Sequence, residues 1–295
     1  ELDRQNKFAY GNRGLAKRNL KKYKEAIKDY DEALKIDSAF AWAYSSRADA
    51  FLQLKKYDKA ISDLDKAIAL KPTDAYTFLV RGDVKTQMNK VAEAGEDYEQ
   101  AVAVDPTYAW AYSSRGDNRM RLLKYDQALA DYNHAVELNP DLDWAYFRRG
   151  MIEYFRADYA AAESDFNKAS AIKGDKFYHV WMFFAQNKSK NKKAAVQDLK
   201  TYWTTAKLEQ PQFVGFIIRH LIGELTDVQL VDSAQTFTGQ SVPENLCEGS
   251  FYIGMNAFVK GDEQLARKYW NLCLKTKVTN FIEYNYAGTY LGKLK

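Results

Sequence analysis

The sequence predicts an all-α solenoid of antiparallel helix hairpins. Three observations carry that expectation: a 34-residue period through the first half of the chain, small and large apolar residues at fixed places within each period, and a shortage of turn formers. Five prolines and fifteen glycines among 295 residues are too few for the many turns of an all-β chain of this length. With 46% hydrophobic, 28% charged and 15% aromatic residues, the chain can bury a large core.

The period is read most directly from Ala41 to Arg47, which recurs identically at Ala109 to Arg115, 68 residues or two periods later. Arg13, Arg47, Arg81, Arg115 and Arg149 fall on the same frame, each followed by a small residue: Gly14, Ala48, Gly82, Gly116 and Gly150. Further on come Ala26, Ala60, Ala94, Ala128 and Ala162, then Tyr30, Leu64, Tyr98, Tyr132 and Phe166, then Ala33, Ala67, Ala101, Ala135 and Ala169. Small residues let two helices approach, and large ones fill the space between them. Pro72, Pro106 and Pro140 close three of the units, because proline cannot continue a helix. Each unit therefore reads as a hairpin, with repeats at 7–40, 41–74, 75–108, 109–142 and 143–176.

These positions resemble the tetratricopeptide repeat, with its aromatic, Gly, small, aromatic, Ala and terminal Pro pattern. The resemblance implies a right-handed superhelical solenoid. The repeated Arg has an Asp sixteen residues on, at Asp29, Asp63, Asp97, Asp131 and Asp165. In an antiparallel hairpin the two face each other, so these ten residues are expected to close hairpins rather than hold a ligand.

From Phe177 the frame degrades. Trp181, Phe184, Ala195 and Leu199 trace a degenerate repeat over 177–208, with Ala195 one residue off register. Residues 209–245, with Pro211 and the apolar stretch Phe213 to Leu225, read as a helical insertion running into a polar loop through Thr236 to Pro243. A further repeat-like hairpin follows at 246–280, marked by Phe251, Gly254, Gly261, Ala266, Trp270 and Cys273. Residues 281–295 read as a capping helix, with Lys293 and Lys295 on its polar side.

Over about residues 177–295 the chain also resembles the bacterial outer-membrane lipoprotein family called new lipoprotein I. The likeness is carried by Phe251-Tyr252-x-Gly254, Gly261-Asp262, Ala266, the run Val278 to Glu283, the Trp181 helix with Ala185, and the Lys-rich turn after it. It implies a periplasmic scaffold, lipid-anchored through a segment upstream of Glu1, with envelope hydrolases or a protease as partners. Five in-register repeats ahead of this region depart from that family's pattern.

First helices of such hairpins line the concave face, so the second, fifth, ninth and twelfth positions of each unit point into a groove. The second position is aromatic in six units: Phe8, Trp42, Tyr76, Trp110, Trp144 and Tyr178. Two turns further along the same face come Asp49, Asp83 and Asp117. An aromatic ladder beside carboxylates suits a peptide with apolar side chains and Lys or Arg between them, its backbone bonded by Ser45, Ser46, Ser113 and Ser114. The competing reading of the aromatics is packing between neighbouring first helices. The Lys and Asn clamp with which some tetratricopeptide domains grip acidic C-termini is missing, since Ser45, Ser46 and Asp49 stand at its positions in the second unit.

Other classes find little support. Basic and acidic residues number 43 and 39 and are interleaved, so no nucleic-acid surface is expected; the run Lys188, Lys190, Lys192 and Lys193 falls where a turn belongs. His134, His179 and His220 lack metal-ligand spacing, no phosphate loop or nucleophile elbow occurs, and no cofactor is expected. Cys247 and Cys273 fall at the same end of one hairpin, as a disulfide or, more simply, as core residues. The expectation is a non-enzymatic scaffold for a protein or peptide in the cell envelope, with a homodimer through the C-terminal half open. A carbohydrate or peptidoglycan binder and a cytoplasmic adaptor are the alternatives.

Overall fold

The computed structural model describes residues 6–189, 192–206, 212–279 and 281–293. Lys190, Pro211, Asn280, Lys295 and the side chain of Lys293, which entered the sequence reading, lie outside the described residues. Among the described residues there are 17 α-helices and no strand. The chain divides into two compact units, Glu1–Arg149 and Gly150–Lys295.

The first unit holds four hairpins: α1 (Lys7–Asn19) with α2 (Tyr23–Ile36), α3 (Ala41–Gln53) with α4 (Tyr57–Leu70), α5 (Ala75–Gln87) with α6 (Val91–Val104), and α7 (Ala109–Arg121) with α8 (Tyr125–Leu138). Helix α9 (Asp143–Phe155) begins in it. First helices run 13 residues and second helices 14, with three residues inside each hairpin and four before the next, which fills the 34-residue period.

Every hairpin turns in the same way. Lys21, Lys55, Asn89 and Leu123, one period apart, take positive φ between 56° and 60°. At each, the positive-φ N–H donates three residues back and the next N–H donates five back, as in Lys55 N–H to the Leu52 carbonyl (2.8 Å) and Lys56 N–H to the Phe51 carbonyl (2.9 Å). This pair of bonds closes the last turn of the first helix. Within the hairpin, Gly14, Gly82 and Gly116 lie against the rings of Tyr30, Tyr98 and Tyr132; a Cβ on Gly116 would sit 2.8 Å from Tyr132 Cε1.

The Arg and Asp pairs close the hairpins. Arg47 donates from Nε to Asp63 at 2.7 Å and Arg81 from a terminal nitrogen to Asp97 at 2.7 Å, and the same pairing joins Arg13 to Asp29 and Arg115 to Asp131. Burial works to raise the Asp29 carboxyl, but hydrogen bonds from Arg13 and Lys17 overcome it and hold the group below its ordinary value. The arginines have a second arm as well. Arg47 reaches back to Asp31 at 2.5 Å and Arg81 to Asp65 at 2.8 Å, each on the second helix of the preceding hairpin. One guanidinium thus ties two consecutive repeats.

The second unit contains α10 (Tyr159–Lys173), α11 (Lys176–Ser189), α12 (Lys192–Thr205), α13 (Phe213–Leu221), α14 (Asp227–Thr236), α15 (Val242–Lys260), α16 (Glu263–Lys275) and α17 (Ile282–Lys293). The apolar stretch expected to reach Leu225 stops at Leu221, where Gly223 at φ 87° turns the chain into α14. The polar loop expected to extend through Pro243 is shorter too, because Ser241 and Glu244 form a capping box that starts α15 at Val242. The core is aromatic: Trp181, Phe184, Phe251, Tyr252 and Trp270 are all fully buried. Tyr286 and Tyr290 of α17 are also buried, with Tyr290 stacked on Trp270 at 4.7 Å and Tyr286 on Phe155 at 4.5 Å. Cys247 and Cys273 are free thiols in this core, their sulfurs 2.9 Å apart.

Candidate ligand-binding groove

A groove of about 590 Å³ opens in the first unit. Its walls come from first helices: Arg18 of α1, Asp49 of α3, Tyr76, Leu79, Val80 and Asp83 of α5, Trp110, Ser113, Ser114 and Asp117 of α7, and Trp144 of α9. Tyr108, just ahead of α7, completes the lining. A larger cavity of about 760 Å³ lies elsewhere in the unit, among Arg13, Lys17, Asp29, Asp31 and Arg47. Most of its charges already pair with one another, as in Lys17 with Asp29 at 2.9 Å and Arg47 with Asp31 at 2.5 Å, and no aromatic residue lines it.

The three carboxylates lie 34 residues apart but have different partners. Arg18 donates to Asp49 at 2.8 Å and to the Tyr76 hydroxyl at 3.0 Å. Asp117 accepts from the Tyr132 hydroxyl at 2.6 Å and from Trp144 Nε1 at 2.8 Å, and forms an ion pair with Arg148 Nε at 3.0 Å. The Arg148 guanidinium also lies 4.2 Å from the centre of the Trp144 ring. Asp83 accepts only from the Tyr98 hydroxyl, at 2.8 Å, and among the described residues no basic group pairs with it. Burial, and next the charges of Asp49 and Asp117, push the Asp83 carboxyl up to about 7, against the opposing pull of the Tyr98 hydrogen bond.

Of the aromatic residues singled out from sequence, Tyr76, Trp110 and Trp144 meet in this groove, with Trp110 49% and Trp144 36% exposed. The other three do not. Phe8 is 57% exposed but leans edge-on against Phe40, at 5.2 Å, outside the groove lining. Trp42, half-buried, packs onto the bare backbone of Gly11 and against Tyr30 and Phe40, outside the groove lining. Tyr178 is 3% exposed and belongs to the second unit; the second position faces inward once the regular array ends. The three carboxylates Asp49, Asp83 and Asp117 all line the groove. Ser45 does not serve a ligand, because it is buried and donates to the Trp42 carbonyl of its own helix at 3.1 Å. Ser46 and Ser113 are buried as well, Ser113 at the groove lining, where Ser114 is the more open of the two serines.

Sequence reasoning missed Arg18, Tyr108 and Arg148. Arg18 stands at the twelfth position of the first repeat, one of the four positions that face the groove, so the frame itself could have found it. Arg148 carries no such signal, since its role depends on how Trp144 is seated.

Family models agree with the repeat frame. Residues 14–55 and 82–122 match a TPR repeat model, and residues 41–74 and 110–142 match tetratricopeptide repeat models. Among solved structures, the chain is similar to a tetratricopeptide repeat protein from Parabacteroides merdae, with 14% identity, 97% of both chains covered and a TM-score of 0.56. It is similar to PilW, titled a widely conserved type IV pilus biogenesis factor, with 20% identity over 69% of this chain and 95% of that one and a TM-score of 0.60. It is also similar to a thermophilic TPR protein of Thermus thermophilus, with 19% identity over 61% of this chain and 98% of that one and a TM-score of 0.53. At these identities the likeness is one of fold.

Proposed function

We propose that this chain, a tetratricopeptide-repeat interaction scaffold, binds a peptide segment of its partner in the groove between Tyr76 and Trp144. The observation that carries the reading is the convergence of exposed Trp110 and Trp144 with Tyr76 and three carboxylates on one face of four consecutive first helices. Two tryptophans half-open to water, with polar groups at fixed steps beside them, are what a binding surface needs and a pure packing surface avoids. The volume lies within the range of about 300–1,000 Å³ usual for ligand pockets. The reading is one of binding, in which Asp49 and Asp117 are engaged in ion pairs and Asp83 is left, among the described residues, as the unpaired carboxylate of the groove.

A sugar ligand would also stack on aromatic faces. One face of Trp144 is already covered by Arg148 and its Nε1 is spent on Asp117, which favours peptide over glycan. A cell-envelope setting belongs to the same proposal; it rests on the likeness of residues 177–295 to new lipoprotein I, and fractionation of the native source checks it. No described helix is long and apolar enough to cross a membrane.

The test is selection of a random peptide library on the purified chain and on a Trp110→Ala, Trp144→Ala variant shown by circular dichroism to be folded. Peptides enriched by the wild-type chain and lost by the variant support the groove. Equal enrichment by both, or none by either, overturns it.

A further inference from the structure

We infer that Asp83 receives one cationic side chain, Lys or Arg, from the peptide in the groove, while apolar side chains on either side of that cation rest on Trp110 and Tyr76. The inference rests on the peptide reading above and names the chemistry of its ligand.

The repeat frame supplies the argument. Asp49, Asp83 and Asp117 are equivalent positions in three successive hairpins, yet the outer two each have a guanidinium and the central one has none. Arg18 reaches Asp49 from the preceding first helix; one period on, the residue placed to reach Asp83 is Leu52. Arg148 reaches Asp117 from the following first helix; one period back, the residue placed to reach Asp83 is Ser114. Both routes by which this fold supplies a cation are filled by neutral side chains at the middle of the groove.

The surroundings sharpen the need. Asp49 faces Asp83 from α3 and Asp117 faces it from α7, and both repel its charge. On its own helix Leu79 and Val80 line the groove beside it. From α6 the Tyr98 hydroxyl donates to one oxygen of Asp83 and is itself bonded to Thr86 at 3.0 Å, while no described group donates to the other oxygen. A carboxylate removed from water without a counter-charge is costly, and a ligand cation with N–H donors supplies what Leu52 and Ser114 do not. The apolar and aromatic walls on both sides favour a ligand whose neighbouring side chains are uncharged.

The probe is an array of short synthetic peptides, each with Leu or Phe flanking a central Arg, printed beside a twin carrying the neutral isostere citrulline. Wild-type chain at about pH 8 is expected to hold Arg peptides roughly tenfold or more tighter than their twins. Asp83→Asn should abolish the difference, as should Leu52→Arg, which gives Asp83 an internal partner; Leu52→Met should keep it. The preference should shrink from about pH 8 to about pH 6 as Asp83 takes up its proton. If wild type holds both twins equally, or Asp83→Asn keeps the preference, the cation receptor is overturned while the peptide groove stands. If folded wild type holds no peptide of the array, both readings fall.

Discussion

Asp83 ties stability to pH before any ligand is present. Its ordinary value is 3.8 and burial, with its acidic neighbours, pushes it up to about 7, so between these values the folded chain keeps a proton that the unfolded chain has released. Stability therefore falls as pH rises through that window. Asp83→Asn keeps an acceptor for the Tyr98 hydroxyl and removes the charge; it should leave stability near pH 4 little changed and raise it above about pH 7 by on the order of 1 kcal/mol or more, read by urea denaturation at the two pH values. Glu248 behaves alike in the second unit. Burial, then the charge of Glu283, pushes it up to about 8, so Glu248→Gln should stabilise that unit at alkaline pH, where the wild-type carboxylate is charged, and matter little in acid. Neither shift was legible in sequence, because each depends on which helices bury the group. What sequence did show was periodic: the frame that places Asp49, Asp83 and Asp117 together is plain, whereas the seating of Trp42 and Tyr178 outside the groove lining follows from the close approach at Gly11 and from the end of the regular array.

Within each hairpin the small residue and the large residue sixteen positions on are matched in size. Gly14, Gly82, Gly116 and Gly150 face Tyr30, Tyr98, Tyr132 and Phe166, whereas Ala48 faces Leu64, both fully buried. Ring edges touch the glycine backbone, so Gly116→Ala should cost about 1–3 kcal/mol by thermal denaturation. The compensating pair makes a sharper measurement. Leu64→Tyr alone should destabilise the second hairpin, and Ala48→Gly in the same chain should recover much of the loss, giving a favourable coupling energy in a double-mutant cycle. The repeated small residue was visible as a frame position, but its exchange between Gly and Ala has meaning only once the opposite ring is located. The hairpin turns were less legible. Positive φ is expected at Gly or Asn, yet the chain places Lys21, Lys55, Leu123 and Ala157 there. Leu123 is 65% exposed, so Leu123→Gly relieves its backbone at little packing cost and should raise stability by about 0.5 kcal/mol or more, a rise of a degree or more in Tm.

A repeat array distributes its stability among local hairpins and the interfaces between neighbours, so damage stays near where it is made. In the first unit each guanidinium that spans two hairpins, such as Arg81 between Asp97 and Asp65, is such an interface. The second unit depends instead on one aromatic core, in which Trp270 is fully buried, stacks on Tyr290 and donates through Nε1 to the Phe251 carbonyl at 3.3 Å. Trp270→Ala should cost that core about 3–5 kcal/mol. If the chain's two units hold their stability separately, hydrogen exchange in the variant should accelerate through Val242 to Lys275 while Ala41 to Arg121 keeps its protection. Affinity for any groove peptide should then be unchanged, because every residue lining the groove lies before Gly150. Loss of protection throughout, with loss of binding, would instead show that the irregular unit supports the regular one, and that the array owes its order to more than its own 34-residue frame.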